Sequence, residues 1–138
     1  MSSPQPVGPS AADLRRMILE QQNMPEELVT VPEWGGITFL MVGLNAYDRS
    51  QLLNASLNKL TGKMDSVRMY PLIMVECARH PETREPIFTR SDVDALNKLS
   101  GKALERVAQV GVRLNGLSED SLKDAKDESS PTEPTASI

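Results

Sequence analysis

The chain has 138 residues, 39% hydrophobic and only 4% aromatic, which suits one small domain with an aliphatic, methionine-rich core. Its formal net charge of −4 resides wholly in residues 118–138, where six acids face two lysines, and residues 1–117 are neutral. A neutral body lacks the clustered Lys and Arg of a nucleic-acid binder, the single Cys77 makes no internal disulfide, and no apolar run approaches the ~20 residues that span a bilayer.

The opening MSSPQPVGPS has neither a positive n-region nor an apolar h-region, so a soluble cytoplasmic protein is expected. Its Pro- and Ser-rich composition predicts a disordered tail over residues 1–10, and the acidic residues 118–138 read the same way. The expected folded domain is residues 11–117.

Within that domain Ser10 predicts an N-cap for a short helix, with Leu14, Met17 and Ile18 on one face and Pro25 beyond its end. Val29 and Val31 then alternate with Thr30, and Ile37, Phe39 and Met41 alternate around Thr38. A period of two on both sides of Gly35-Gly36 predicts a β-hairpin. Pro32 has no N–H to donate, so its strand is an edge or ends there. A lone hairpin is marginal, so one of its faces must rest on helices.

Asn45 is placed to cap a helix through about Leu60, with Leu53, Leu57 and Leu60 on one face and Gly62 as its stop. Asp65 or Ser66 opens the next helix, through Arg79, whose run VRMYPLIMVECA is apolar on most sides, as in a buried central helix. Pro71 there is either tolerated near the first turn or kinks the helix. HPETREP reads as a loop. Ser91 predicts the cap of a short helix carrying Asp92 and Asp94, Ser100-Gly101 breaks it, and a last helix follows. Its Leu104, Val107, Gly111 and Leu114 form a stripe that Asn115-Gly116 closes with a left-handed cap. The expected fold is mainly α: a small helical bundle with one N-terminal β-hairpin.

Chemistry is scarce. Cys77 and His80 share a helix face at i, i+3, yet no second Cys or His pair exists to complete a zinc site. The carboxylate pairs Glu26/Glu27, Asp92/Asp94 and Glu119/Asp120 fall in loops or helix starts, where solvation and capping account for them. Gly35-Gly36 lacks the spacing of a phosphate-binding loop. No catalytic, metal or cofactor site is predicted, and the expectation is a protein-binding module rather than an enzyme. Methionine side chains repack readily, so Met69 and Met74 with Met41, Phe39 and Trp34 are the candidate protein-interaction residues. The alternative for Trp34 is packing, an indole covering the hairpin end against a helix.

Two blocks go further. VTVPEWGGITFLMVGLNAYDRSQLLNA, with its turn at Val31 to Gly36 and its acid-Arg pair Asp48-Arg49, resembles the opening of the tail assembly chaperones of long-tailed bacteriophages. ARHPETREPIFTRSDVDALNKLSGKALERVAQVGVRLNGL is similar to a second block of that family, through Pro86, Phe88-Thr89, Asp92, Leu96, Ser100, Leu104 and Leu114 to Leu117. The resemblance spans about residues 28–117. It implies a non-virion protein of the infected host's cytoplasm that coats the tape measure protein, helps recruit tail tube subunits and leaves before the tail is complete. It also implies self-association and, in many members, a longer product made by programmed frameshifting near the gene's end. The rival expectation is a small structural tail-completion or connector protein of the virion.

Overall fold

A computed structural model describes residues 8–117. The expected tails at 1–10 and 118–138 lie outside the described residues except for Gly8 to Ser10. The elements run α1 (Ala11–Leu19), β1 (Glu26–Val31), β2 (Ile37–Val42), α2 (Ala46–Ala55), α3 (Ser66–Cys77), β3 (Ala78–Arg79), α4 (Val93–Leu96) and α5 (Gly101–Leu114).

The sheet is antiparallel, in the order β1-β2-β3. The hairpin register pairs Val29 with Phe39 and Val31 with Ile37, as the alternation around Thr30 and Thr38 requires; the two threonine hydroxyls lie 2.7 Å apart on the outer face. Val31, Phe39 and Met41 point inward and are buried. The fold is therefore mixed α/β with helices dominant, which corrects the expectation of a helical bundle carrying only a hairpin. The missed strand is β3. It continues directly from α3 and pairs Ala78 with Met41 and Arg79 with Leu40. Two residues are too few to show a period of two, and the run into Arg79 reads as more helix. Pro81 disfavours helical backbone at His80, the local signal that α3 should end early.

α3 is the central helix: Met69, Leu72, Ile73, Met74, Val75 and Cys77 are all buried. Asp65 caps it by accepting from the Val67 N–H at 3.0 Å. Pro71 sits in the helix interior and deprives the Val67 carbonyl of its i+4 donor. The Asn97 amide replaces that donor at 3.0 Å, so the residue after α4 repairs the break in α3. α5 crosses α3 closely at Gly111, where an added Cβ would lie 2.4 Å from Ile73 Cγ2 and 3.2 Å from Met41 Cε.

Two other boundaries differ from expectation. α2 ends at Ala55 rather than near Leu60. The Asn58 side chain accepts from the Leu60 and Thr61 N–H groups, a local turn that competes with helix, and Gly62 (φ 70) completes a turn that pairs Leu57 with Met64. Leu60 is 96% exposed and belongs to no helix face. The start of the α4 region is fixed not by Ser91 but by Asp92, whose carboxylate accepts from the Thr89 N–H at 2.8 Å, around a 3-10 turn at Arg90–Asp92. Among the described residues no helix is long and apolar enough to cross a membrane.

Candidate functional site

The VPEWGG turn is a five-residue loop between paired Val31 and Ile37. Pro32–Trp34 form a 3-10 turn, and Gly35 and Gly36 follow at φ 82 and 75, a backbone region that side chains with a Cβ resist. The Gly36 N–H reaches back to the Val31 carbonyl at 3.0 Å. This geometry lays the half-buried Trp34 over Phe39, rings stacked with centroids 6.2 Å apart. Glu33 meets Arg106 of α5 in a two-pronged pair at 2.5 and 2.6 Å. That hydrogen bonding, helped by the nearby charge of Lys102, holds the Glu33 carboxyl down to about 2 from its ordinary 4.5. Glu27 pairs with Arg113 at 2.8 Å, one α5 face thus gripping both ends of β1, and Glu26 pairs with Arg84, which depresses the Glu26 carboxyl.

Beside Trp34 lies an apolar groove of about 470 Å³, lined by Trp34, Ile37, Thr38, Phe39, His80, Pro81, Glu82, Ile87 and Phe88. Its origin is topological. β3 pairs only with Leu40 and Met41, so among the described residues Ile37 to Phe39 have no third strand beside them, and the 80–88 loop forms the opposite wall. Ile37 is 58% exposed and Ile87 43%. The Trp34 Nε1–H is buried without a hydrogen-bond acceptor among the described residues, an exception to the pairing that buried donors usually achieve.

Of the five candidate interaction residues, only Trp34 borders this groove with exposed surface. Phe39 floors it but is 4% exposed. Met41 and Met74 are fully enclosed, and Met69 is 8% exposed. These three methionines belong to the buried core cluster and form no surface groove. In the sequence Ile37 is marked only as a strand residue, and Ile87 is not among the expected contacts. An isoleucine inside the polar loop HPETREPIF was the available signal.

The Cys77–His80 pair is taken apart. Cys77 is buried, and burial pushes its thiol up to about 12, while the Asn115 amide donates to its Sγ at 3.5 Å. His80 lies in the loop, its Nδ1 accepting from the Glu82 and Thr83 N–H groups. Among the described residues no three His, Cys, Asp or Glu side chains gather as a metal site would require.

The two motif blocks meet at one joint. Asn115, 8% exposed, accepts from the Leu44 N–H at 2.6 Å and donates to the Gly111 carbonyl at 2.9 Å. Arg49 donates to the Asn115 and Gly116 carbonyls at 2.8 and 3.2 Å, placing a cation at the negative end of α5. Gly116 (φ 63) and Leu117 complete the cap: their N–H groups reach the Arg113 and Val112 carbonyls, and Leu117 is buried, the arrangement of a Schellman motif.

No protein-family model matches the chain, and no curated protein matches it either. Among solved structures it is similar to the tail assembly chaperone of bacteriophage HK97. The TM-score is 0.53 at 12% identity, over 76% of this chain and 95% of that one. At that identity the likeness is one of fold.

Proposed function

We propose that this chain acts in phage tail assembly as a chaperone that binds the tape measure protein and helps bring tail tube subunits to it. On this reading it works in the host cytoplasm and is absent from the finished virion. The observation that carries the reading is the fold likeness to a tail assembly chaperone over nearly that protein's whole length. The Arg49–Asn115 joint adds weight, because it unites in space the two sequence blocks that carry the family resemblance. The acidic tail from Ser118 is where a frameshifted longer product would diverge.

The contact surface on this reading is the Trp34 groove. It is an apolar opening with exposed walls, and an apolar face of a partner helix fits such a groove with little demand on sequence. Trp34 itself is a poor reporter of binding, because it also covers Phe39. The test is co-expression of the tape measure protein with the wild-type chain and with Ile37→Asp and Ile87→Asp, both at exposed positions. Co-purification with wild type and at least a tenfold loss with either variant is expected. Capture unaffected by both variants sinks the groove. Mass spectrometry of purified virions separates the rival: a structural tail-completion or connector protein would be present, a chaperone absent.

A further inference from the structure

At the end of the hairpin away from the VPEWGG turn, a polar cavity of about 500 Å³ opens between Gln22, Asn23, Glu26, Gly43, Arg79 and Arg84. Its charges do not balance. Arg84 is taken up by Glu26. Arg79 is not, and among the described residues no carboxylate comes within ion-pair distance of it. Its part-buried guanidinium donates to the Ala78 carbonyl at 3.3 Å, one bond for a fork of several donors. Charge withdrawn from water is usually paired, so the cavity holds an uncompensated cation beside the Gln22 and Asn23 amides.

Both arginines are held by the fold. Arg79 belongs to β3 and pairs with Leu40. Arg84 stands at φ 65, in the left-handed region where glycine or asparagine is the easier choice. Its N–H closes the loop on the His80 carbonyl at 2.9 Å, while the His80 N–H donates to the Glu85 carbonyl at 2.9 Å. An arginine at that position puts backbone strain behind a side chain that lines the cavity, and strain of this kind gathers at binding sites. Glu82 and Glu85, the acids of the same loop, lie outside the lining.

We propose that this cavity is a carboxylate-binding site, and that its occupant is the acidic segment of the same chain that begins at Ser118. A guanidinium takes a carboxylate through two parallel N–H bonds. Two arginines against one glutamate leave room for one further negative charge. Residues 118–138 supply it, with Glu119, Asp120, Asp124, Asp127, Glu128 and Glu133 against Lys123 and Lys126.

The start of that segment is anchored at the same end of the sheet. Asn115, two residues before Leu117, accepts from the Leu44 N–H at 2.6 Å, and Gly43, the residue before Leu44, lines the cavity. Asp124 to Glu128 follow Leu117 by 7 to 11 residues, a reach of roughly 23–36 Å. A carboxylate tethered in this way is held at an effective concentration on the order of 1 mM. Binding is weak and salt-sensitive, because partly exposed ion pairs are screened. The segment keeps other anions out of the cavity until a stronger acidic ligand displaces it. None of this depends on the function proposed above.

The test uses the full chain. Ser129→Cys carries a nitroxide spin label, and Cys77, being buried, stays unlabelled. At low salt the label should weaken the NMR signals of the Gln22 and Asn23 side-chain amides and the Arg79 Nε–H about fivefold. The Trp34 Nε1–H, beyond the other end of β1, should change much less. At about 0.5 M NaCl the effect should fall by at least half. Arg79→Gln should abolish it and Arg79→Lys should keep part of it. So should the chain with Glu119→Gln, Asp120→Asn, Asp124→Asn, Asp127→Asn, Glu128→Gln and Glu133→Gln abolish it. That last variant leaves every described residue intact, so it decides the matter even if Arg79→Gln disturbs β3. In a mixture of spin-labelled chain and isotope-labelled chain without the spin label, no broadening should pass between molecules. Absence of broadening at the cavity overturns the proposal. So does broadening that survives removal of the six acids, or broadening that passes between chains in the mixture.

Discussion

Replacing Asn115 by Ala tests whether the joint between the two motif blocks holds the fold together. The side chain is 8% exposed and makes three contacts: with the Leu44 N–H at 2.6 Å, the Gly111 carbonyl at 2.9 Å and Cys77 Sγ at 3.5 Å. The Gly111 carbonyl keeps a partner without it, because it also accepts from the Asn115 backbone N–H at 3.1 Å. The thiol contact is weak. The cost therefore falls on the Leu44 N–H, left without its acceptor in a part-buried position, about 1–3 kcal/mol, with a smaller loss from removed packing. The expected total is about 2–3 kcal/mol, a large share of the 5–15 kcal/mol typical of a small domain. For a domain of this size it lowers Tm by roughly 8–12 °C. Urea unfolding followed by the fluorescence of Trp34, the only tryptophan, should show a lower midpoint at constant slope. Arg49→Ala should cost about 1 kcal/mol by itself. Because Arg49 bonds the Asn115 carbonyl itself, the two residues share one network and their losses should depart from additivity by about 0.5 kcal/mol or more. An Asn115→Ala midpoint equivalent to less than about 1 kcal/mol would falsify the assignment of this residue as the joint.

Gly111→Ala should destabilise by about 1–2 kcal/mol: the gain of about 1 kcal/mol in helix propensity is outweighed by driving a Cβ to 2.4 Å from the buried Ile73. A stabilised variant in the same urea assay would show that α5 can move away at no cost. Asn97→Ala should cost about 1 kcal/mol in wild type and almost nothing in a Pro71→Ala background, where residue 71 regains the N–H that the Val67 carbonyl lacks. A double-mutant cycle without coupling would remove Asn97 as the repair of that break. Glu33 is held down to about 2, so its contribution to stability is full above its ordinary 4.5 and is lost as pH falls from there towards about 2. Arg106→Gln should flatten the pH dependence of the urea midpoint in that window relative to wild type, and parallel profiles would count against the Glu33–Arg106 pair.

Much of the fold was legible because it is written in local chemistry. Proline and paired glycines at 32–36 fix the hairpin turn, and the alternation around Thr30 and Thr38 fixes its register. Ser10, Asn45 and Asp65 each accept from an N–H in the first turn of the helix they precede. Asn115-Gly116 closes α5 as its composition indicates. These features depend on residues a few positions apart, so a reading of neighbours recovers them.

Tertiary structure decided the rest, because the deciding partners lie far along the chain. β3 exists only because Leu40 and Met41 offer a free edge to Ala78 and Arg79. Met41 and Met74 have the apolar character of an adaptable surface, but both are enclosed in the core, Met41 beneath the crossing of α5 at Gly111. Periodicity shows that α1 has an apolar face and is silent on whether anything covers it. The groove beside Trp34 is set by where β3 stops and the 80–88 loop turns away, a boundary with no local signature. The sequence by itself determined which segments turn, cap and alternate, since those energies are paid within a few residues. Which apolar faces became core and which stayed open followed only from long-range packing, where hydrophobic burial is non-directional and the topology chooses the partners.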